Sequence, residues 1–420
     1  MKNLLHTPEG VRDIYDRECA RKNIVEQRIL RQMQLFGYSA IETPMFEFFD
    51  IFAKERGSVS DREMYKFFDR YNNTVVLRPD MTPAIARCVT KFYGEETMPQ
   101  RLCYLGHTFT NSASYKGRLY EVTQSGAELI GDDSAQADAE MIAMVIQSLR
   151  SAGLKEFQVE LGEVEFFRGL LEEAGISEEE GDELRELIEN KNYFGVEDYI
   201  SNVLKKADFK DVFLKLPELF GSVDNIRQAK EMTKNQRAQS AIDRLEKVHQ
   251  ILKEYGLTEY ISYDLGMLSK FSYYTGIIFK AYSYGIGDYM VSGGRYDKLL
   301  VQFGRDISAI GFAITIDRLM SALSSQKVEF DTSTADVLVV YEEQRTGEAV
   351  QVLTRYRRIG KRAMGMPMEG EKERKEYIAY AKEKGMTQLI FMKETSILKT
   401  DINTGKDLEK NLEEILGEIL

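Results

Sequence analysis

The stretch SSQKVEFDTSTA at 324–335 is polar and aperiodic, and the hydrophobic patterns on its two sides differ in kind. Downstream, ADVLVVY, a helical run through VQVLTRYRRIG, KRAMGM, a second helix through ERKEYIAYAKEKG, and TQLIFM alternate strand with helix. That order predicts a small α/β domain over 334–420 with a largely parallel sheet, closed by a helix in its last twelve residues. Upstream, residues 1–323 are expected to fold as a separate unit. There RLCYLGHTF and LYEVTQSGAEL are strand-like runs divided by a loop, which predicts an antiparallel hairpin over 102–131. Residues 14–37 read as an amphipathic helix ending near Gly37, and AQADAEMIAMVIQSLRSAG as a helix ending at Gly153. DMTPAIARCVTKF opens another, with Thr82 as the expected N-cap and Pro83 at the first helical position. From about 165 to 257 the pattern turns helical and charged, as though inserted between strands.

Several function classes lose support from composition. No window approaches the roughly 18 apolar residues of a membrane span, and MKNLLHTPEGVRD meets a proline and charges too soon for a signal peptide, so a cytoplasmic chain is expected. Cys19, Cys88 and Cys103 lack metal-site spacing, and His6, His107 and His249 are isolated, so neither a metal site nor a cofactor is expected. So few unpaired histidines offer no Ser/His/Asp arrangement. Gly293-Gly294 belongs to neither glycine-rich phosphate motif, and reads as a turn. The formal charge of −12 disfavours broad binding to phosphate backbones. Only RYRRIGKR at 355–362 is a local exception, and such a run commonly forms a solvated helix end.

One set of residues converges on a zwitterionic small molecule. Asp80 and Thr82 in RPDMT can receive an ammonium group, Gln124 and Glu128 add hydrogen-bonding positions on a strand, and Tyr273 and Tyr274 offer flat walls with hydroxyls. Each also has a purely structural explanation: Thr82 as a helix cap, the tyrosines as half-buried strand residues, Glu128 as a solvated charge.

TPEGVRDIYDRE, FGYSAIETPMFE, LRPDMTPAIAR, the 102–131 segment, SYYTG, SGGRYDKL and GFAITIDRL occur in the order found in histidyl-tRNA synthetases, and the chain resembles that family over nearly its full length. The resemblance implies an α+β fold of the class II synthetase type: an antiparallel sheet with flanking helices and a helical insertion over 1–323, then an anticodon-binding-like α/β domain. It also exposes losses. The family's F-R-x-E motif, whose arginine grips the ATP α-phosphate, reads Phe109-Thr110-Asn111-Ser112 here, and the adenine-stacking aromatic is Val122. The histidine motif R-G-L-D-Y-Y aligns with Ser269-Lys270-Phe271-Ser272-Tyr273-Tyr274, so a second arginine is missing. Removing one such phosphate-stabilising donor commonly costs a factor of roughly 100 to 1,000 in rate. Arg318 does match the family's third-motif arginine.

The histidine-binding positions of that family are retained at Thr82, Gln124, Glu128, Tyr273 and Tyr274, with Asp80 standing in for a glutamate. A kept amino-acid site without its activation machinery is similar to the regulatory subunits of ATP phosphoribosyltransferase, the synthetase paralogues that serve the first step of histidine biosynthesis. That resemblance implies no catalytic residue, L-histidine as ligand, a homodimeric core, and a short-form ATP phosphoribosyltransferase catalytic subunit as partner in a hetero-octamer. No tRNA partner is expected. The alternatives are a divergent histidyl-tRNA synthetase and an RNA-binding sensor acting through 331–420.

Overall fold

The computed structural model describes residues 4–53, 59–94, 98–111, 119–190, 192–203, 210–216, 219–268, 274–370 and 372–419. Two compact units form: Lys22–Val328 with the N-terminal segment up to Asp13, and Glu329–Leu420 with Ile14–Arg21.

The first unit is built on a nine-stranded sheet. In spatial order its strands are Ser39–Ala40, Gln100–Phe109, Glu121–Ile130, Ala309–Thr315, Val291–Arg295, Ile277–Ser283, Phe157–Glu163, Ile261–Asp264 and Phe220–Gly221. Pairing is antiparallel throughout except between the first two strands and between Phe157–Glu163 and Ile261–Asp264. The hairpin read from sequence is its longest ladder, with Gln100 opposite Ile130 and Phe109 opposite Glu121. The helix Ala135–Ala152 is apolar on nearly all sides, and Met141, Ile142, Met144, Val145, Ile146 and Leu149 are fully buried, as expected of a core helix. The Ser134 hydroxyl accepts from the Ala137 amide at its start, and Gly153 ends it at φ 102°.

The segment read as an insertion is helical over most of its described length, its longest helix being Gln236–Glu254, where Asn235 caps the Arg237 and Ala238 amides. Thr82 departs from its expected place. Met81 holds the cap position of the helix Thr82–Phe92 without a side-chain cap bond, and Thr82 is the first residue inside, so its hydroxyl serves a distant partner instead.

In the second unit, Ala363–Pro367, Val337–Tyr341 and Gln388–Met392 are parallel, as the alternating pattern predicts. An antiparallel hairpin of Ile397–Asp401 and Asp407–Lys410 extends that sheet before the short final helix Leu412–Glu418.

Candidate small-molecule site

Period-two alternation along Glu121–Ile130 decides what faces where. Gln124, Gly126 and Glu128 share one face, while Ser125, Ala127 and Leu129 take the other. On the first face the cross-strand neighbour of Glu128 is Gly311, and that of Gln124 is Thr315. The glycine is required: a Cβ at position 311 would stand 1.6 Å from Glu128 Oε2. Gly294 has a similar reason, since a Cβ there would stand 2.8 Å from the Tyr274 ring.

These glycines make room for a cavity of about 750 Å³, within the range of small-molecule sites. Asp80, Thr82, Gln124, Tyr274 and Tyr296 are among its lining residues. Glu128, only 1% exposed, does not line it but bonds two residues that do. Its Oε1 accepts from the Thr82 hydroxyl at 2.8 Å, and its Oε2 accepts from the Tyr296 hydroxyl. Burial raises the Glu128 carboxyl strongly and the two hydroxyl donors pull it partly back, leaving it at about 8. The same burial, with Glu128 adjacent, pushes the Tyr296 phenol well above its ordinary value. Asp80 accepts from the Thr82 amide at 3.2 Å, so the turn before the helix is braced by the residue that faces the cavity. Gln124 Oε1 is buried without a hydrogen-bond partner among the described residues. A buried carbonyl left in that state is costly unless a ligand donor meets it.

Of the six candidate residues, Asp80, Thr82, Gln124 and Tyr274 line one cavity, and Glu128 is bonded to Thr82 at its wall. Tyr273 lies outside the described residues, as do Lys270 and Ser112. Tyr296 was missed from sequence. Its signal was the SGGRYDKL run, where two glycines precede a hydroxyl-bearing ring, yet nothing local joins it to a carboxylate 168 residues away.

Other lining residues are chemically different: Thr110, Leu119 and Val122 line the cavity together with Arg12, Asp317 and Arg318. Arg318 is held in place: it donates to the Tyr289 carbonyl at 2.6 Å, pairs with Asp288 at 2.7 Å and lies over the Tyr289 ring. Asp317 accepts from the Thr123 amide at 3.0 Å, tying the helix Ile316–Ser325 to the hairpin. Among the described residues no cluster of three or more His, Cys, Asp or Glu side chains suits a metal ion.

A family model described as histidyl-tRNA synthetase matches residues 10–319. A curated ATP phosphoribosyltransferase regulatory subunit from Acetivibrio thermocellus is 40% identical over 85% of this chain and 85% of its own length. One from Clostridium novyi is 36% identical over 99% of both chains. Among solved structures, an ATP phosphoribosyltransferase regulatory subunit/histidyl-tRNA synthetase from Bacillus halodurans aligns at TM-score 0.83 and 30% identity, covering 93% of this chain and 99% of that one. A histidyl-tRNA synthetase from Nostoc sp. aligns at TM-score 0.83 with 18% identity, over 99% of this chain and 98% of its own, a likeness of fold alone.

Proposed function

The chain belongs to the ATP phosphoribosyltransferase regulatory subunits and carries a histidyl-tRNA synthetase-like domain, and from that premise we propose that it binds L-histidine beside Glu128 to control a separate catalytic chain. It is a regulatory subunit, not a catalytic one, and it serves histidine biosynthesis. Its partner is the ATP phosphoribosyltransferase catalytic subunit; the short form of that subunit, a hetero-octamer of four chains of each kind, a homodimeric core and a cytoplasmic setting are parts of the proposal. Among the described residues no helix is long and apolar enough to cross a membrane.

The observation that carries the histidine reading is the buried Glu128 carboxyl, set between the hydroxyls of Thr82 and Tyr296 at the wall of the cavity. An imidazole N–H is a fitting partner for a buried carboxylate, and a charged or polar donor there would lower its desolvation cost. In this reading Gln124 and Asp80, which line the cavity, receive the ligand's ammonium group, and Tyr274, Tyr296 and Tyr273 wall its ring. Thr110 and Arg318, which also line the cavity, support regulation over activation. Thr110 occupies the position where the synthetases use an arginine, and Arg318 is already engaged by Asp288 and Tyr289.

Titration calorimetry with L-histidine tests the reading. We expect saturable binding at micromolar or weaker affinity, loss of at least tenfold in Glu128→Ala, and no histidine-dependent exchange of pyrophosphate into ATP. No binding at millimolar histidine, or robust exchange, would overturn it.

A further inference from the structure

A second cavity of about 380 Å³ is bordered by Asp138, Arg244, Thr275, Arg295 and Asp297, of which Thr275 and Arg295 are the chain neighbours of Tyr274 and Tyr296. These side chains form one continuous polar network. The Asp138 carboxylate is fully buried and shared by two guanidinium groups. Arg295 donates to its Oδ1 through Nε at 3.0 Å and Nη2 at 2.6 Å, while Arg244 donates to its Oδ2 through Nε at 2.6 Å. Arg244 also donates to the Asp133 carbonyl at 2.8 Å.

From Arg295 the network reaches both walls of the candidate site. Its backbone leads directly into Tyr296, which bonds Glu128. Its carbonyl accepts from the Thr275 amide at 2.8 Å, beside Tyr274, and its Nη1 meets Asp297 at 3.3 Å. Asp297 in turn accepts from the Thr275 hydroxyl at 2.9 Å and returns a backbone bond to it at 3.0 Å. Arg244 is the member that the helical insertion contributes, whereas Asp138 comes from the core helix Ala135–Ala152. Arg244 sits on Gln236–Glu254, the long helix of the insertion, with its side chain 27% exposed.

We propose that Arg244 is a positioning residue through which the helical insertion sets the Tyr274 and Tyr296 walls of the small-molecule site. A buried carboxylate shared between two cations fixes both only while both are present, because the remaining guanidinium must otherwise reorient to balance it. The adjoining cavity leaves space for such a shift. The part concerning ligand affinity rests on the histidine reading above; the positioning itself does not.

Both parts are tested on the full-length chain with Arg244→Gln, Arg244→Lys and the control Arg237→Gln, a residue bordering the same cavity but paired with Glu165. The first readout is amide hydrogen exchange without ligand. Faster exchange at Thr275, Tyr296 and Asp297 is expected in Arg244→Gln, partly restored in Arg244→Lys and absent in Arg237→Gln. Equal exchange in all the variants and the parent chain would overturn the proposal. The second is the dissociation constant for L-histidine, expected to rise about 5- to 20-fold in Arg244→Gln with Arg237→Gln unchanged. Unchanged affinity in Arg244→Gln would also overturn it. If the parent chain binds no histidine, the functional reading fails, and the exchange data still decide the positioning role.

Discussion

Glu128 is the residue on which the most chemistry turns, because it is an acid kept away from water, with the hydroxyls of Thr82 and Tyr296 as donors and the Asp80 carboxylate nearby. Its carboxyl is raised from the ordinary 4.5 to about 8, with burial as the largest cause. A group whose folded value lies above its unfolded one gives the folded chain an advantage that is complete below about 4.5 and is lost as pH rises through about 8. Glu163, also fully buried and raised to about 8, acts in the same direction. The ligand-free chain should therefore lose stability between about pH 4.5 and pH 8, by on the order of 1 kcal/mol per pH unit for each such group, and level off above pH 8. Urea unfolding across that range measures it. Glu128→Gln keeps the shape, removes the charge and should flatten about half of the slope; a slope equal to that of the parent chain would show that Glu128 does not titrate in this window.

At the scale of elements, the site is a consequence of sheet register, and Gly311 is where the register is most exposed to test. A methyl group at position 311 would meet Glu128 Oε2 at 1.6 Å and the Ala127 carbonyl at 2.9 Å, and the second of these is backbone that cannot turn aside. Gly311→Ala should cost about 1–3 kcal/mol in unfolding free energy and abolish calorimetric histidine binding even in the fraction that folds. A fully stable variant that binds normally would mean that Glu128 has another rotamer available. Register also explains what could be read in advance. The hairpin and the core helix were legible because their apolar residues repeat at periods of two and 3.6, and Gln124 and Glu128 were legible as a same-face pair. Tyr296 was not, since its tie to Glu128 crosses two strand pairings that no local pattern encodes. A threonine before proline fits the cap position as well as the next one, and a shift of one residue decides whether the Thr82 hydroxyl serves the helix or Glu128. The hairpin Ile397–Asp401 and Asp407–Lys410 went unread for a different reason: Asp407–Lys410 is an edge strand exposed on both faces, with no apolar alternation to find.

For the whole molecule, the question is how a site inside one chain can govern chemistry in another. A ligand shifts an equilibrium only by its difference in affinity for the two states, so histidine must bind the inhibited arrangement of the complex more tightly than the active one. Couplings of this kind are commonly about 1–3 kcal/mol, which corresponds to roughly 5- to 150-fold. Linkage then imposes a condition that no choice of mechanism can evade. If histidine weakens or strengthens assembly with the catalytic chain by some factor, assembly must change the histidine affinity by that same factor. Two independent measurements check this: the dissociation constant between the two chains with and without saturating histidine, and the histidine dissociation constant of the free chain and of the complex. We expect the two ratios to agree. We also expect Glu128→Ala to bring the assembly ratio to one while phosphoribosyl transfer in the mixture persists without histidine inhibition. An assembly ratio that survives Glu128→Ala would place the controlling histidine somewhere other than beside Glu128, and a mixture no more active than the catalytic chain alone would remove the regulatory role itself.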